Sequence, residues 1–236
     1  HVPGYNAPNP PGGDQWGTTE SLEATMRYAL SLGTKDANAI KIFQACANTF
    51  AYLVEQGKLQ GSNGLPLEGY DQPPDSGFPQ IKNQSSATDA DIQLVADLIK
   101  GKEIFGSSIT MYGKNSSQSI DDYIKGGIKG LENTDIQNGQ WIEGSPHSGW
   151  TPPKIADAHY YDYINYNSVR IINNYAEKNS IDTTNIKDAT SADLYSQQVL
   201  LDAGKYFNQS GEGAITEQRT IMHLGEYLLN ADSTDP

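Results

Sequence analysis

Two acidic residues stand where predicted helices begin beside irregular segments. Glu20 lies in the first turn of a helix that starts at Thr18 or Thr19, and Asp89 lies at the start of a helix that Thr88 or Asp89 opens after a long Pro-rich stretch. Carboxyl groups from different helices that face one cleft can hydrolyse glycosides. One protonates the departing oxygen, and in the inverting reaction another, about 6.5–9.5 Å away, activates water. Acidic residues at helix starts also interact favourably with the helix dipole, so each position has a structural interpretation as well.

Aromatic side chains in predicted loops are candidates for binding a sugar. Trp16, Trp141 and Trp150 all lie outside the predicted helices, which is unusual for core residues. Because sugar rings have apolar faces that stack on aromatic rings, we predict that these tryptophans contact substrate, with packing in the core as the alternative. Tyr70 and Tyr112 are weaker candidates for the same role.

The elements that would position these residues are helices. Apolar residues recur at helical spacing in eight segments, which are separated by clusters of Gly, Asn, Pro and Ser. No convincing strand alternation is present, although residues 57–86 allow a short strand pair. We therefore predict one all-α domain over residues 1–236, a toroid of helix hairpins whose long loops form a cleft. The predicted helices cover residues 18–33, 36–56, 89–105, 120–131, 153–163, 168–178, 192–207 and 217–229.

Three short segments resemble glycoside hydrolase family 8. The Ala-Thr-Asp-Ala-Asp run at residues 87–91 looks like the family's signature helix. The Thr-Glu-Ser segment at residues 19–21 is similar to the family's Ser-Glu-Gly stretch. Ala-His-Tyr-Tyr at residues 158–161, after a Gly- and Trp-rich loop, resembles its Pro-Ala-Tyr-Tyr segment. The three occur in the family's order, so the resemblance covers roughly residues 14–165.

This resemblance implies roles for several residues. Asp89 would lie in the active site and bind the central sugar, and Glu20 would be the general acid. One of Tyr160 and Tyr161 would help to hold the attacking water, and both are assigned to substrate binding. The alternative for these tyrosines is packing of their own helix.

The catalytic base is harder to place by resemblance. Many family members supply it from an Asp-Ala-x-Arg segment on a late helix, and the corresponding region of this chain is DATSADLYSQQ, residues 188–198. Asp188 and Asp193 are both candidates, but neither is followed by arginine three residues later, and Asp89 stays open as a further possibility. Asp193 is preferred because it would begin the predicted helix, where capping is the alternative interpretation.

The implied activity is that of an endo-acting, inverting glycoside hydrolase on a β-1,4-linked polysaccharide, either cellulose or another β-glucan, or chitosan. The family's barrel has six helix hairpins, whereas eight helices are predicted for this chain. The chain would then be a compact variant, a fragment, or a relative that keeps the cleft without full activity. The alternative function is a non-catalytic polysaccharide-binding or assembly protein. A polysaccharide lyase is disfavoured because an acidic protein would repel a uronate polymer.

Composition limits the partners. With 29 Asp and Glu against 16 Lys and Arg, the net charge of −13 disfavours binding to nucleic acid or to an anionic membrane. Only 19% of residues are charged and 36% are hydrophobic, so the surface is mainly neutral and polar, as in many extracellular proteins. No apolar run is long enough to span a bilayer. Together with the family resemblance, this composition leads us to expect a secreted protein whose partner is a polysaccharide or oligosaccharide, and a monomer is the default state for a secreted depolymerase.

Metal, disulfide and cofactor chemistry are not expected. Cys46 is the only cysteine and lies in a predicted helix, so an internal disulfide is impossible and a buried position is expected. His147 and His159 lack metal-ligand spacing with another histidine, and no nucleophile elbow or phosphate-binding loop occurs. Three further acidic residues are expected on solvated helix faces: Asp97, Asp121 and Asp122.

Overall fold

The computed structural model of the chain is mostly helical. It describes residues 16–59, 64–67, 69–71, 80–81, 87–107, 109–142, 154–155, 158–159 and 164–202. Six α-helices account for most of these residues, and a single π-helical turn, Leu131–Asp135, continues the fourth. The helices are α1 (Thr19–Leu32), α2 (Ala39–Leu59), α3 (Thr88–Phe105), α4 (Ile120–Gly130), α5 (Tyr166–Lys178) and α6 (Thr184–Asp202).

Nine strands of two or three residues occur in the described part of the chain, and every pairing among them is antiparallel. A three-stranded sheet joins the segment before α1 to the long Pro-rich region, and the other strands form hairpins. The sheet contains β1 (Trp16–Thr18), β2 (Gly69–Asp71) and β3 (Gln80–Ile81); the hairpins are β4 (Thr110–Tyr112) with β5 (Ser117–Ser119), β6 (Ile136–Gln137) with β7 (Gln140–Trp141), and β8 (Lys154–Ile155) with β9 (Ala158–His159).

Helix α3 is the central element, and it packs against α1, α2, α4 and α5. Its Leu94, Val95 and Leu98 side chains are fully buried in the core. Gly101 allows a close approach to α2, because a Cβ atom at that position would lie 1.9 Å from Cζ of Phe43. A helix surrounded in this way is expected to be apolar on all sides, which makes every polar residue within it informative.

The apolar periodicity predicts most of the helices correctly. Helices α1 to α5 lie where five of the predicted segments lie, and α1 begins at Thr19 and ends just before Gly33, whose φ is +59°. The strand pair allowed within residues 57–86 is confirmed as β2 and β3. The buried position expected for Cys46 is also confirmed, and burial raises the pKa of its thiol to about 12.

Two helix predictions need correction. The helix predicted over residues 153–163 is wrong, because Lys154–Ile155 and Ala158–His159 form a hairpin whose strands are too short to show alternation. The helix predicted from residue 192 begins earlier, at Thr184. Its first turn is capped from another element, since the backbone N–H groups of Asn185 and Ile186 donate to Glu132. The helix predicted at residues 217–229 lies outside the described residues.

Among the described residues, no helix combines the length and the apolar character needed to cross a membrane.

Candidate active site

Asp89 is a partly exposed residue at the otherwise buried start of α3. Residues 87–99 are all described, and Asp89 is the only one of them that is not buried. Its neighbours Thr88 and Ala90 are both fully buried. A partly exposed carboxylate at the start of a central helix can reach a ligand while its backbone is held by the core, which is the arrangement a binding site requires.

Glu20 occupies the first turn of α1, directly after strand β1. Pairing of β1 with β2 fixes the backbone before it, with Trp16 opposite Asp71 and Thr18 opposite Gly69. The preceding residue, Thr19, is fully buried. The side chain of Glu20 lies outside the described part, so its separation from Asp89 and its role as acid stay predictions.

A network of polar side chains joins α1, α3 and the start of α5. Gln93 of α3 accepts through Oε1 from Arg27 Nη2 at 2.7 Å and from Asn165 Nδ2 at 3.3 Å. Its Nε2 donates to Glu23 Oε2 at 3.1 Å, and Glu23 also forms an ion pair with Arg27 at 3.1 Å. Glu23 is one helical turn after Glu20, and Gln93 one turn after Asp89. The network therefore holds the helix turns that carry both candidate acids.

Asp97 belongs to the same network, so the prediction that it lies on a solvated face is wrong. It is 6% exposed, and Oδ2 lies 3.5 Å from Arg27 Nε, a distance that makes the contact an ion pair rather than a close hydrogen bond. Burial raises the pKa of Asp97 to about 7, with Arg27 opposing the shift and Glu23 adding to it. Two turns of α3 separate this group from Asp89.

The two candidate bases have different surroundings. Asp193 lies in the third turn of α6, so the expectation that it begins a helix is wrong, and capping does not explain its presence. It is 3% exposed, and the Tyr166 hydroxyl donates to its Oδ2 at 2.5 Å. Asp188 is exposed on the same helix. The tyrosine contact brings Asp193, and not Asp188, to the start of α5.

The start of α5 also contains a segment that the sequence prediction misses. Residues 167–170, Asn-Ser-Val-Arg, are similar to Asp-Ala-x-Arg with asparagine in the place of aspartate. The two polar ends are linked, because Arg170 Nη2 donates to Asn167 Oδ1 at 2.8 Å. Arg170, three residues after Asn167, is the feature by which this segment could have been found in the sequence. A search that requires aspartate at the first position misses it.

The aromatic predictions have mixed outcomes. Trp141 is not a sugar platform, since it is 2% exposed and its Nε1 donates to Thr190 Oγ1 of α6 at 3.2 Å. Tyr112 is exposed on the β4–β5 hairpin, as a binding residue could be. For Trp16 and Tyr70 only the strand backbones are described. Three further predicted residues lie outside the described part: Trp150, Tyr160 and Tyr161.

No cluster of His, Cys, Asp and Glu in the described residues could hold a metal ion. His159 lies in β9, and His147 is outside the described ranges.

Comparison with known proteins gives the fold. No protein-family model matches the sequence, and no curated protein matches it. The chain is similar to the solved structure of a cold-adapted family 8 xylanase, with a TM-score of 0.56 and 14% identity, over 86% of this chain and 44% of that one. It is also similar to a β-1,3-1,4-glucanase from Paenibacillus sp. X4, with a TM-score of 0.54 and 15% identity, over 76% of this chain and 42% of that one.

The matched region thus spans less than half the length of either enzyme. At this identity the likeness concerns the fold, and it confirms at that level the resemblance found in residues 14–165. The protein therefore has the fold of the family 8 glycoside hydrolases, a toroid of helix hairpins, of which the described residues form six α-helices.

Proposed function

We propose that this protein is an endo-acting, inverting glycoside hydrolase that cleaves a β-1,4-linked polysaccharide outside the cell and works as a monomer. The observation that carries the proposal is Asp89, the one open position in the buried first three turns of α3. Asp89 is partly exposed at the start of a helix whose neighbouring residues are all buried, on a glycoside hydrolase scaffold.

Each candidate acid has a distinct task in this mechanism. Glu20 is protonated before reaction and gives its proton to the departing glycosidic oxygen. Asp89 accepts hydrogen bonds from the hydroxyls of the central sugar and holds it in a distorted ring shape. Asp193 is ionised and takes a proton from water on the opposite face of the ring. The hydrogen bond from Tyr166 supports that role because it stabilises the carboxylate form.

The substrate class is a neutral or cationic polymer. The net charge of −13 favours cationic chitosan and repels polyuronates, while neutral glucans are unaffected by it. Xylan belongs in the same test because a family 8 xylanase has this fold.

The decisive experiment measures reducing-end release from carboxymethyl cellulose, mixed-linkage β-glucan, chitosan and xylan. Wild-type protein is compared with Glu20→Gln and Asp193→Asn, and with Glu177→Gln as a matched control. Glu177 is exposed near the far end of α5. We expect activity on one polymer, lost in the first two variants and kept in the control. Full activity in Glu20→Gln with its fold intact would refute the mechanism.

One observation favours a second function, a non-catalytic polysaccharide-binding protein. Asn167 stands where the similar Asp-Ala-x-Arg segment has its aspartate, and an amide cannot take a proton from water. The hydrogen bond to Arg170 preserves the local geometry without the base. In that case the cleft keeps its affinity for the polymer and has lost turnover.

The substitution Asn167→Asp separates the two functions. A wild type that binds a polymer without cleaving it, together with a variant that cleaves it, would establish the binding function on a former enzyme scaffold. Wild-type activity that is unchanged by Asn167→Asp and abolished by Asp193→Asn would establish the hydrolase. Isothermal titration with a soluble oligosaccharide measures binding in both proteins.

A further inference from the structure

Helices α1 and α3 pack side by side, and their polar contacts define one register between them. Gln93 Nε2 of α3 donates to Glu23 Oε2 of α1 at 3.1 Å. One turn further along both helices, Arg27 Nε lies 3.5 Å from Asp97 Oδ2. Both pairs join residues 70 positions apart, so the contacts advance together along the two helices. The helices are therefore parallel, with position 23 level with position 93.

This register brings the starts of the two helices to the same level. The same spacing sets the backbone of Glu20 level with Ala90, the residue after Asp89. Positions three or four residues apart lie on one side of a helix, so positions 20 and 23 share a side of α1, and positions 89 and 93 share a side of α3. The backbones that carry the two candidate acids therefore lie next to each other at one end of the helix pair.

The Gln93 side chain is the junction of these contacts, and its place suits only a primary amide. Both Gln93 and Glu23 are buried. The amide oxygen accepts from Arg27 Nη2 and Asn165 Nδ2, while the amide nitrogen donates to Glu23. Because arginine only donates and a carboxylate only accepts, the orientation of the amide is determined. A carboxylate at this position would lose the donor, and an apolar side chain would leave buried partners without a hydrogen bond.

Asn165 extends the same series of hydrogen bonds to α5. Its Oδ1 accepts from the backbone N–H of Ser168 at 3.0 Å, which caps the helix. Its Nδ2 is therefore the atom that donates to Gln93, at 3.3 Å. The series runs in one direction, from the Ser168 N–H through two amides to the Glu23 carboxylate. Buried hydrogen bonds that allow only one direction hold their members in one arrangement.

We propose that Gln93 and Glu23 are positioning residues whose hydrogen bond sets the register of α1 against α3, and with it the place of Glu20 relative to Asp89. Apolar packing between two helices allows more than one register, whereas a buried polar contact of fixed direction selects one. Neither positioning residue has to touch the sugar. The effect on register is independent of activity, and only the effect on turnover rests on the proposed function.

Exchanging the two side-chain types tests the direction of the hydrogen bond. In the exchanged pair, Glu23→Gln with Gln93→Glu, the net charge is unchanged and the amide at position 23 donates to the carboxylate at position 93. That carboxylate still accepts from Arg27 and Asn165. Gln93→Glu alone brings two carboxylates into contact. Gln93→Met keeps a side chain of similar length and removes the hydrogen bonds.

The matched control is Gln44→Met. Gln44 Nε2 donates to Asn48 Oδ1 and to the Thr110 carbonyl, both at 2.8 Å, so this variant also removes two hydrogen bonds of a helical glutamine. These bonds join α2 to strand β4, which follows the C-terminal end of α3 in the chain. The control therefore measures what a loss of stability does by itself.

Double electron–electron resonance measures the register without needing activity. Spin labels are attached to Ala24→Cys and Glu103→Cys, which are exposed positions on α1 and α3, while Cys46 is fully buried and stays unlabelled. We expect the label distance in both Gln93 variants to shift by about 1.5 Å or more, the rise of one helical residue. The exchanged pair and Gln44→Met should keep the wild-type distance.

An unchanged distance in folded Gln93 variants would overturn the proposal, and so would an exchanged pair that behaves like Gln93→Glu alone. If Gln93→Met does not fold, the comparison of Gln93→Glu with the exchanged pair remains decisive.

Turnover on the polymer that the wild type cleaves gives the functional readout. We expect both Gln93 variants to lower kcat by about tenfold or more and to change KM by less than about threefold, because displaced acids affect the reacting geometry more than binding. The exchanged pair should recover kcat to within about threefold of the wild type, and Gln44→Met should keep it.

Wild-type kcat in a folded Gln93 variant whose label distance has shifted would contradict the positioning role. If the wild type neither binds nor cleaves any polymer, the proposed function fails, while the distance result on the register still stands.

Discussion

Helices α3 and α4 both begin with two acidic residues in the first turn, and the two turns use them in opposite ways. In α4, Ser119 and Asp122 form a capping box, and Asp121 accepts from Lys102 Nζ at 2.6 Å and from the Tyr175 hydroxyl at 2.5 Å. Every acidic group there has a partner that explains it structurally.

In α3 the N-cap is an alanine that makes no side-chain cap hydrogen bond, Asp91 is fully buried, and Asp89 is partly exposed. Two acidic residues at a helix start therefore do not show by themselves whether they only stabilise the helix or belong to a candidate site. The distinction lies in the burial and the contacts of the carboxyl groups in the folded protein, which the residue types alone do not indicate. Four predictions test this contrast, from the largest expected effect to the smallest.

Replacing Asp89 by Asn should lower polysaccharide turnover by about two orders of magnitude, because a charged contact to the reacting sugar is lost. The unfolding free energy should change by only about 0.5 kcal/mol, the size of a helix-dipole contribution. The counterpart Asp122→Asn in α4 should leave turnover unchanged. Reducing-end assays measure turnover, and urea unfolding measures the unfolding free energy. Equal turnover in Asp89→Asn and wild type would show that Asp89 is not part of the site.

The contributions of the two regions to the unfolding free energy should also depend on pH with opposite sign. Asp135, and Asp97 further along α3, have pKa values raised by burial, so the folded state binds more protons than the unfolded state. Their contribution to the unfolding free energy is present below the ordinary aspartate pKa and is lost as pH rises through the raised pKa, by up to about 1.4 kcal/mol per pH unit for each proton. Urea unfolding between pH 4 and pH 9 should show this decline, and it should be shallower in Asp135→Asn.

For Asp121 of α4 the sign is reversed. Burial acts to raise its pKa, but the hydrogen bonds from Lys102 and Tyr175 outweigh burial and lower it. Its contribution is therefore present above the unfolded-state pKa and lost as pH falls. A steeper loss at acid pH in Asp121→Asn than in wild type would contradict this assignment.

Removing the cap of α4 with Ser119→Ala should cost about 1 kcal/mol of unfolding free energy. Ser117→Ala, on the exposed strand just before, is the matched control. Ala87→Ser at the start of α3 should stabilise by much less than the α4 cap contributes, because Ala87 and Thr88 are buried and the added hydroxyl would lose its contact with water. Thermal or urea unfolding of the three variants gives the comparison, and a large gain from Ala87→Ser would show that the α3 turn is loose.

The smallest effect is expected for Lys102→Met, which breaks the ion pair with Asp121 and keeps the apolar stem. The pair is partly exposed, so we expect a loss of about 0.5 kcal/mol that shrinks further at high salt. Lys100→Met, on a more exposed ion pair with Glu103, is the control. A loss above that of Ser119→Ala would mean that Asp121 is held mainly by charge.

Local sequence predicts those elements of the fold whose formation depends mainly on residues that are near one another in the chain. The start of α1 at Thr19 and the start of α3 at Thr88 follow from apolar periodicity and turn signals. The strands β8 and β9 are not predictable, because two residues cannot show a period and their pairing depends on a partner strand.

The incorrect predictions concern residues whose surroundings come from distant parts of the chain. Asp97 is buried rather than solvated because its partner Arg27 lies on another helix, and Trp141 is buried against Thr190, which is far along the chain. The complete burial of Asp91 and Asp135 gives no sequence signal at all, since neither residue type nor spacing indicates it. By contrast, the sequence points to Asp89 as a candidate, because a short motif surrounds it, and its role stays a prediction.

The Gln93 network also sets an order of events during synthesis. The hydrogen bonds of its amide to Glu23 and Arg27 span 70 and 66 residues, and its bond to Asn165 spans 72 in the other direction. When the ribosome has made α1 to α4, this amide has both of its α1 partners but lacks Asn165, the second donor to its Oε1, so the region around Asp89 stays unfinished until α5 emerges. Contacts of such long sequence separation form slowly. The nascent chain would therefore acquire its helices well before it acquires a working cleft.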